Sequence, residues 1–218
     1  MSRRERYRQD TRAEAKELAM AQVAAAGAAS VSVNAIAKHM GMTGSALYRY
    51  FDSRDALLGE LIADGYADLA DKVEAAAKVE AEPAARLRAM AAAFRAWAIA
   101  DPHRYLLLFG TPVPGFAAPP QTVEAAERAL AAFAAVFAEL PDPAVPVELD
   151  TQVAAWLAAS GADVPAAAFR RALIGWTRLH GVLSLEVSGQ FTMMGIDGAM
   201  VYQVELHGLL GGEGTAPS

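Results

Sequence analysis

The residues able to do chemistry together lie between Ser32 and Arg54, in SVNAIAKHMGMTGSALYRYFDSR. Thr43 and Ser45 carry hydroxyls that donate and accept at base edges or phosphates, and Arg49 carries a guanidinium that can pair in bidentate fashion with guanine. Catalytic spacings are absent elsewhere. The four histidines at 39, 103, 180 and 207 fall on different expected elements, with no HExxH or other metal-ligand spacing, and there is no GxSxG elbow, GxxxxGKS loop or GxGxxG turn. No cysteine occurs, which excludes disulfides, thiolate zinc sites and cysteine nucleophiles. No enzyme activity, cofactor or metal is expected.

Two short helices and a tight turn must position these groups. Ser32 can cap the first helix, placing Ile36, Ala37 and Met40 on one apolar side, and Gly41 can end it by taking positive φ. Thr43 can cap a second helix reaching Phe51. Leu47 and Phe51 share one face at i, i+4, whereas Ser45, Tyr48 and Arg49 point elsewhere. A major groove about 12 Å wide admits such a helix with its first residues against base edges. The small Gly44, Ser45 and Ala46 permit the approach. A bidentate Arg49–guanine pair contributes about 1–3 kcal/mol of discrimination. Arg54 opens the next helix, where dipole and side chain both favour phosphate.

The run IAKHMGMTGSALYRYFDSRDAL closely resembles the DNA-binding segment of the TetR (tetracycline-repressor-type) family, with its Leu-Tyr-x-x-Phe core and a basic residue opening the next helix. The resemblance implies phosphate contacts from Tyr48 and Tyr50 and a base contact from Asn34; intramolecular packing is the other reading of Tyr50, and Lys38 and His39 belong to a solvated face. FGTPVPGFAAP and GWTRLHGVLSLEVSGQF are similar to the C-terminal domain of a TetR subgroup with a Trp-His-Gly signature, which Trp176, His180 and Gly181 fit loosely. That second resemblance implies an all-α ligand-sensing and dimerisation domain.

The chain of 218 residues, 54% hydrophobic and 20% charged, suits a globular protein of one large or two small domains. Its net charge of −6 conceals a division. Residues 1–55 hold nine Lys/Arg against six Asp/Glu, and residues 56–218 hold ten against nineteen, so the first part is +3 and the second −9. Basic charge at one end of an acidic molecule suits one domain presented to phosphates. Arg3, Arg4, Arg6 and Arg8 form either a mobile arm along DNA or a solvated, disordered terminus. No apolar run reads as a secretory signal or membrane span, and a cytoplasmic protein is expected.

Along the chain, Thr11 and Glu14 fit a capping box opening a helix that ends near Gly27. Helices follow from Ser53, with Leu58, Ile62, Leu69 and Val73 at helical spacing; from Pro83, with Leu87, Met90, Phe94 and Trp97; over 103–109; over 122–140; over 147–160; over 165–188; and from an Asp197 cap to Leu210. Proline-rich connections are expected at 111–120 and 141–146. The expected organisation is all-α: a three-helix DNA-binding head at 1–55, a helical effector-binding and dimerisation domain at 56–211, and a flexible tail at 212–218.

One head makes too few contacts for a specific operator, so a homodimer is expected, its seam on the helices at 165–188 and 198–210. Phe94, Trp97, Tyr105, Phe109, Phe116, Trp176 and His180 either border a pocket for a largely apolar small-molecule effector or fill core. The function expected is a repressor released from a palindromic double-stranded DNA operator by that effector. The alternative is an architectural, sequence-tolerant DNA binder without an effector.

Overall fold

The computed structural model describes residues 2–110, 116, 120–140 and 148–211. Every regular element among the described residues is a helix. Most of the proline-rich connection at 111–120, all of that at 141–146 and the expected tail at 212–218 lie outside the described residues. The chain divides into two compact units, Met1–Asp68 with Asp101–Ala126, and Leu69–Ala100 with Glu127–Ser218.

The first unit begins with α1 (Arg3–Ala26). Its capping box lies nine residues before the expected one: the Ser2 hydroxyl accepts from the Glu5 N–H at 3.2 Å, and the Glu5 carboxylate accepts from the Ser2 N–H at 2.6 Å. Thr11 is instead a buried interior residue whose hydroxyl donates to the Tyr7 carbonyl at 2.8 Å. No breaker separates the two boxes and arginine is a good helix former, so the helix extends to the outer cap. The expected arginine arm is therefore helical, with Arg3, Arg4, Arg6 and Arg8 all inside α1.

Beyond a 3₁₀ turn at Ala28–Ser30, α2 (Val33–His39) starts on the Ser32 hydroxyl, which accepts from the Ala35 N–H at 3.3 Å. The chain reverses at Gly41, whose φ of +69° would strain any side-chain-bearing residue. Helix α3 (Gly44–Leu47) follows at once, and it is shorter than expected. After Leu47 the backbone tightens: the Tyr50 N–H reaches the Leu47 carbonyl at 2.9 Å, and Phe51 returns to that carbonyl at 3.2 Å. This turn lets Leu47 and Phe51 enter one core while the chain swings into α4 (Arg54–Ala77), whose Ser53 hydroxyl accepts from the Ala56 N–H at 2.9 Å.

That core comprises Ala15, Ala19 and Val23 of α1, Val31, Val33, Ile36 and Ala37, then Leu47, Phe51, Leu57, Leu58 and Leu61. Leu57, Leu58 and Leu61 of α4 belong to it, beyond the expected boundary at residue 55, and the first unit also takes in α6 (Pro102–Phe109). Two arginines fasten the periphery. The Arg12 guanidinium lies 4.6 Å from the centre of the Phe51 ring and donates to the Tyr50 carbonyl and to Glu60. Arg54 donates to the carbonyls of Val31 at 3.0 Å and Ala28 at 2.9 Å.

In the second unit α9 (Ala166–Val187) is the helix against which α5 (Pro83–Ala100), α8 (Glu148–Ser160), α10 (Gln190–Met194) and α11 (Gly198–Leu209) pack. The buried Tyr202 of α11 donates its hydroxyl to the Ala91 carbonyl of α5 at 2.8 Å, and Arg95 of α5 donates to Glu186 of α9 at 3.0 Å. Helix α7 (Pro120–Glu139) meets α9 where Gly175 leaves room for Phe137; a Cβ on Gly175 would lie 3.1 Å from that ring. Arg171 donates to the Phe137 and Leu140 carbonyls, each at 2.9 Å, so the exposed end of α7 is capped from α9.

Arg54→Ala removes two charge-assisted bonds to carbonyls that precede α2, a loss of about 1.5–3 kcal/mol. Urea denaturation followed by far-UV circular dichroism should show the fall, and amide exchange across residues 28–37 should accelerate. An unchanged midpoint would mean that water satisfies both carbonyls equally well.

Candidate nucleic-acid interface

Helix α3 is short enough that its position depends on what it is pinned to. Leu47 is fully buried beneath it, and the opposite side carries the exposed Thr43 and Ser45. The Thr43 hydroxyl accepts from the Ala46 N–H at 3.2 Å and lies 3.0 Å from the Ser45 hydroxyl, so one oxygen both caps the helix and orients its neighbour. Asn34, exposed on α2, fills the space next to Gly44: a Cβ there would stand 2.2 Å from Asn34 Oδ1. The structure thus brings Asn34, Thr43, Gly44 and Ser45 together as a polar cluster at the start of α3.

The other expected contacts are arranged differently. Tyr48 and Arg49 are exposed in the turn after α3, so Arg49 no longer belongs to the helix on which the guanine contact was expected. Tyr50 is half-buried against the head core. Arg54, expected to face phosphate, donates to the Val31 and Ala28 carbonyls before α2. Lys38 and His39 lie exposed in the last turn of α2.

Sequence reasoning missed Arg12 and Tyr7. Nothing in the linear pattern marks Arg12, whose partners Tyr50 and Glu60 are 38 and 48 residues away. Tyr7 had a readable signal, being one helical turn beyond Arg3, once α1 is extended to the chain's start. Arg3, Arg4, Tyr7 and Arg8 of α1 join Arg49 and Tyr50 around an open concavity of about 690 Å³.

The aromatic residues singled out for effector binding form two groups, each within its own unit. In the second unit Phe94 stacks on Trp176 at 4.8 Å between ring centres and 15° between planes, and Trp176 stacks on His180 one turn along α9 at 5.7 Å and 9°. Phe133 meets Trp176 edge-on at 6.5 Å, and Trp97 is buried on α5. In the first unit Phe109 lies 5.2 Å from Tyr105 and 5.5 Å from Tyr66, while Phe116 packs against the head core. Burial raises the pKa of both phenols, Tyr66 and Tyr105, keeping them protonated donors. Burial lowers that of His180, favouring neutral imidazole against Trp176.

A capped recognition element pinned over an apolar three-helix core, followed by a larger helical unit, defines a helix-turn-helix DNA-binding protein. Residues 17–61 match the domain of bacterial regulatory proteins of the tetR family, and residues 87–209 match the tetracyclin repressor-like C-terminal domain. The chain is 35% identical over 202 residues to an HTH-type transcriptional regulator of Mycobacterium tuberculosis, covering 88% of this chain and 86% of that protein. It is 48% identical to the crystallised protein SCO4313, with a TM-score of 0.86 over 96% of this chain and 100% of that one. The fold alone extends to the transcriptional regulator FadR from Bacillus subtilis, crystallised with stearoyl-CoA, at 14% identity and a TM-score of 0.56 over 92% and 98% of the two chains. The chain belongs to the TetR family of bacterial transcription regulators. The curated relatives are named as HTH-type transcriptional regulators, and no helix of the described residues is long and apolar enough to cross a membrane.

Two outcomes follow from this geometry. Gly44→Ala should leave the head folded, because the Asn34 amide is the free end of an exposed side chain and can swing aside, but it should weaken binding to a selected DNA site about as much as Asn34→Ala does. A Gly44→Ala protein with unaltered affinity would show that Asn34 takes no part. For His180 the folded pKa lies below the ordinary value near 6.5, so the unfolded chain binds the proton more readily. The stabilisation is present above about pH 6.5 and declines as pH falls toward the lowered folded value. His180→Gln should flatten that part of a denaturation-midpoint profile, and an unchanged slope would assign the pH dependence to other groups.

Proposed function

We propose that the protein is a homodimeric repressor that reads a near-palindromic operator with α3 of each subunit and releases it when a largely apolar small molecule binds the second unit. The observation that carries this reading is the cluster at the start of α3, where the exposed Thr43 and Ser45 and the exposed Asn34 of α2 gather around Gly44 while Leu47 on the other side is sunk in the head core. Asn34, Thr43 and Ser45 read base edges, and Tyr48 touches the backbone.

The dimer seam lies on α9 and α11. Ile174 and Leu185 of α9 and Met200 and Val204 of α11 are exposed apolar side chains, and beyond its own helix backbone no atom stands within 4 Å of where a Cβ on Gly181 would be. Large apolar groups flanking a small residue suit a self-complementary helical interface. Two heads then meet half-sites about 34–36 Å apart. The Phe94–Trp176–His180 stack supports an effector of mainly apolar surface, with the imidazole as its polar contact. Such a ligand displaces DNA only by its preference for the non-binding spacing of the heads.

Genome-fragment selection on the purified protein at near-physiological salt should enrich a short, near-palindromic site bound two subunits at a time. An effector screen on that fragment, with long-chain acyl-CoA thioesters in the set, should find a compound that lowers affinity, and Trp176→Ala should shift the concentration required more than it shifts DNA affinity. Enrichment of no sequence, with binding that falls steeply in salt, would favour an architectural DNA binder instead.

A further inference from the structure

We propose that Arg3, Arg4 and Arg8 of α1, together with Arg49 from the turn after α3, form a cradle for the sugar-phosphate backbone of duplex DNA beside the bases that α3 reads. The proposal rests on the DNA-binding reading above. It assigns Arg49 to phosphate rather than to guanine.

Three observations carry it. The four arginines line one open concavity of about 690 Å³ with Tyr7 and Tyr50, and no carboxylate is among those lining residues. Four like charges around one hollow repel one another, so the arrangement favours an anionic occupant. None of the four guanidinia makes an ion pair or hydrogen bond among the described residues, whereas Arg12, Arg54, Arg95, Arg128 and Arg170 are all engaged within the protein. The arginines of α1 are also held in place beforehand: the Ser2–Glu5 capping box starts the helix at Arg3, and Arg4 and Arg8 are one turn apart on the same face. Helical order before binding reduces the conformational entropy lost on contact.

The shape matches a linear polyanion better than a compact one. The concavity is open and bordered by two separate segments, so successive phosphates can pass between them, and the phenols of Tyr7 and Tyr50 can donate to the same oxygens. Arg49 follows the C-terminal end of α3, at the opposite end of that helix from Thr43 and Ser45, which suits a backbone contact next to the base-reading residues.

The test uses the full-length protein and a 30-base-pair duplex of random sequence, with the affinity measured across a sodium chloride series. Each phosphate neutralised adds about 0.9 to the steepness of log K against log salt. Arg4→Gln/Arg8→Gln should make the slope shallower by about 0.9 per arginine for each head engaged. Lys72→Gln/Lys78→Gln, which removes equal charge from exposed sites elsewhere, should leave it nearly unchanged. Arg49→Gln should weaken binding to unrelated duplexes by one common factor and leave the selected consensus intact. An unchanged slope in the α1 double variant, or an equal drop in the lysine control, overturns the cradle. A consensus altered by Arg49→Gln returns that residue to base reading. Preference for anionic phosphatidylglycerol vesicles over the duplex would replace the partner. Failure of the unaltered protein to bind any duplex removes the DNA reading and the cradle with it.

Discussion

A guanidinium seated against a phenylalanine ring ties the segment that follows α3 to the rest of the head. Four residues of helix cannot stabilise themselves, because the cost of nucleation exceeds what one turn of hydrogen bonds returns. Helix α3 is held instead by Leu47 and Phe51 in the head core, and Arg12 secures the exit of that segment by covering the Phe51 ring while bonding the Tyr50 carbonyl and Glu60 of α4. Arg54 does the corresponding task at the entrance to α2 through the Val31 and Ala28 carbonyls. The segments around α2 and α3 are thus held by long side chains that reach their backbone from neighbouring helices as well as by the buried core.

Charge in the head is accordingly of two kinds. Arg12, Lys16 and Arg54 spend their donors on Glu60, Asp64 and backbone carbonyls, which fixes helices relative to one another inside the first unit. Arg3, Arg4, Arg8 and Arg49 keep theirs for the surface. Counting basic residues over 1–55 combines the two kinds, and the surplus of positive charge there understates how selectively the free cations are grouped.

Local signals were legible where their partners are near in sequence. The caps at Ser32 and Thr43 and the reversal at Gly41 depend on neighbours within a few residues, and each stands where its residue type implied. The start of α1 was misread because two capping boxes compete and only the absence of a breaker between them selects the outer one. The end of α3 was misread because tertiary demands on Phe51 and the Arg12–Tyr50 bond overrode continuing helical periodicity. For the aromatics, spacing placed Trp176 and His180 on one face of α9, but only packing shows that Phe94 completes their stack and that Tyr105 and Phe109 belong to a separate cluster in the first unit. Residues of the same type on different helices look equivalent in one dimension.

The contact between Gly44 and Asn34 ties the side chains allowed at the two positions to each other. With hydrogen as the only substituent at 44, the amide at 34 lies in the vacant space; any larger residue there dictates another rotamer. The two positions are therefore coupled: a substitution at one alters what a substitution at the other does, and the effects of the two do not add.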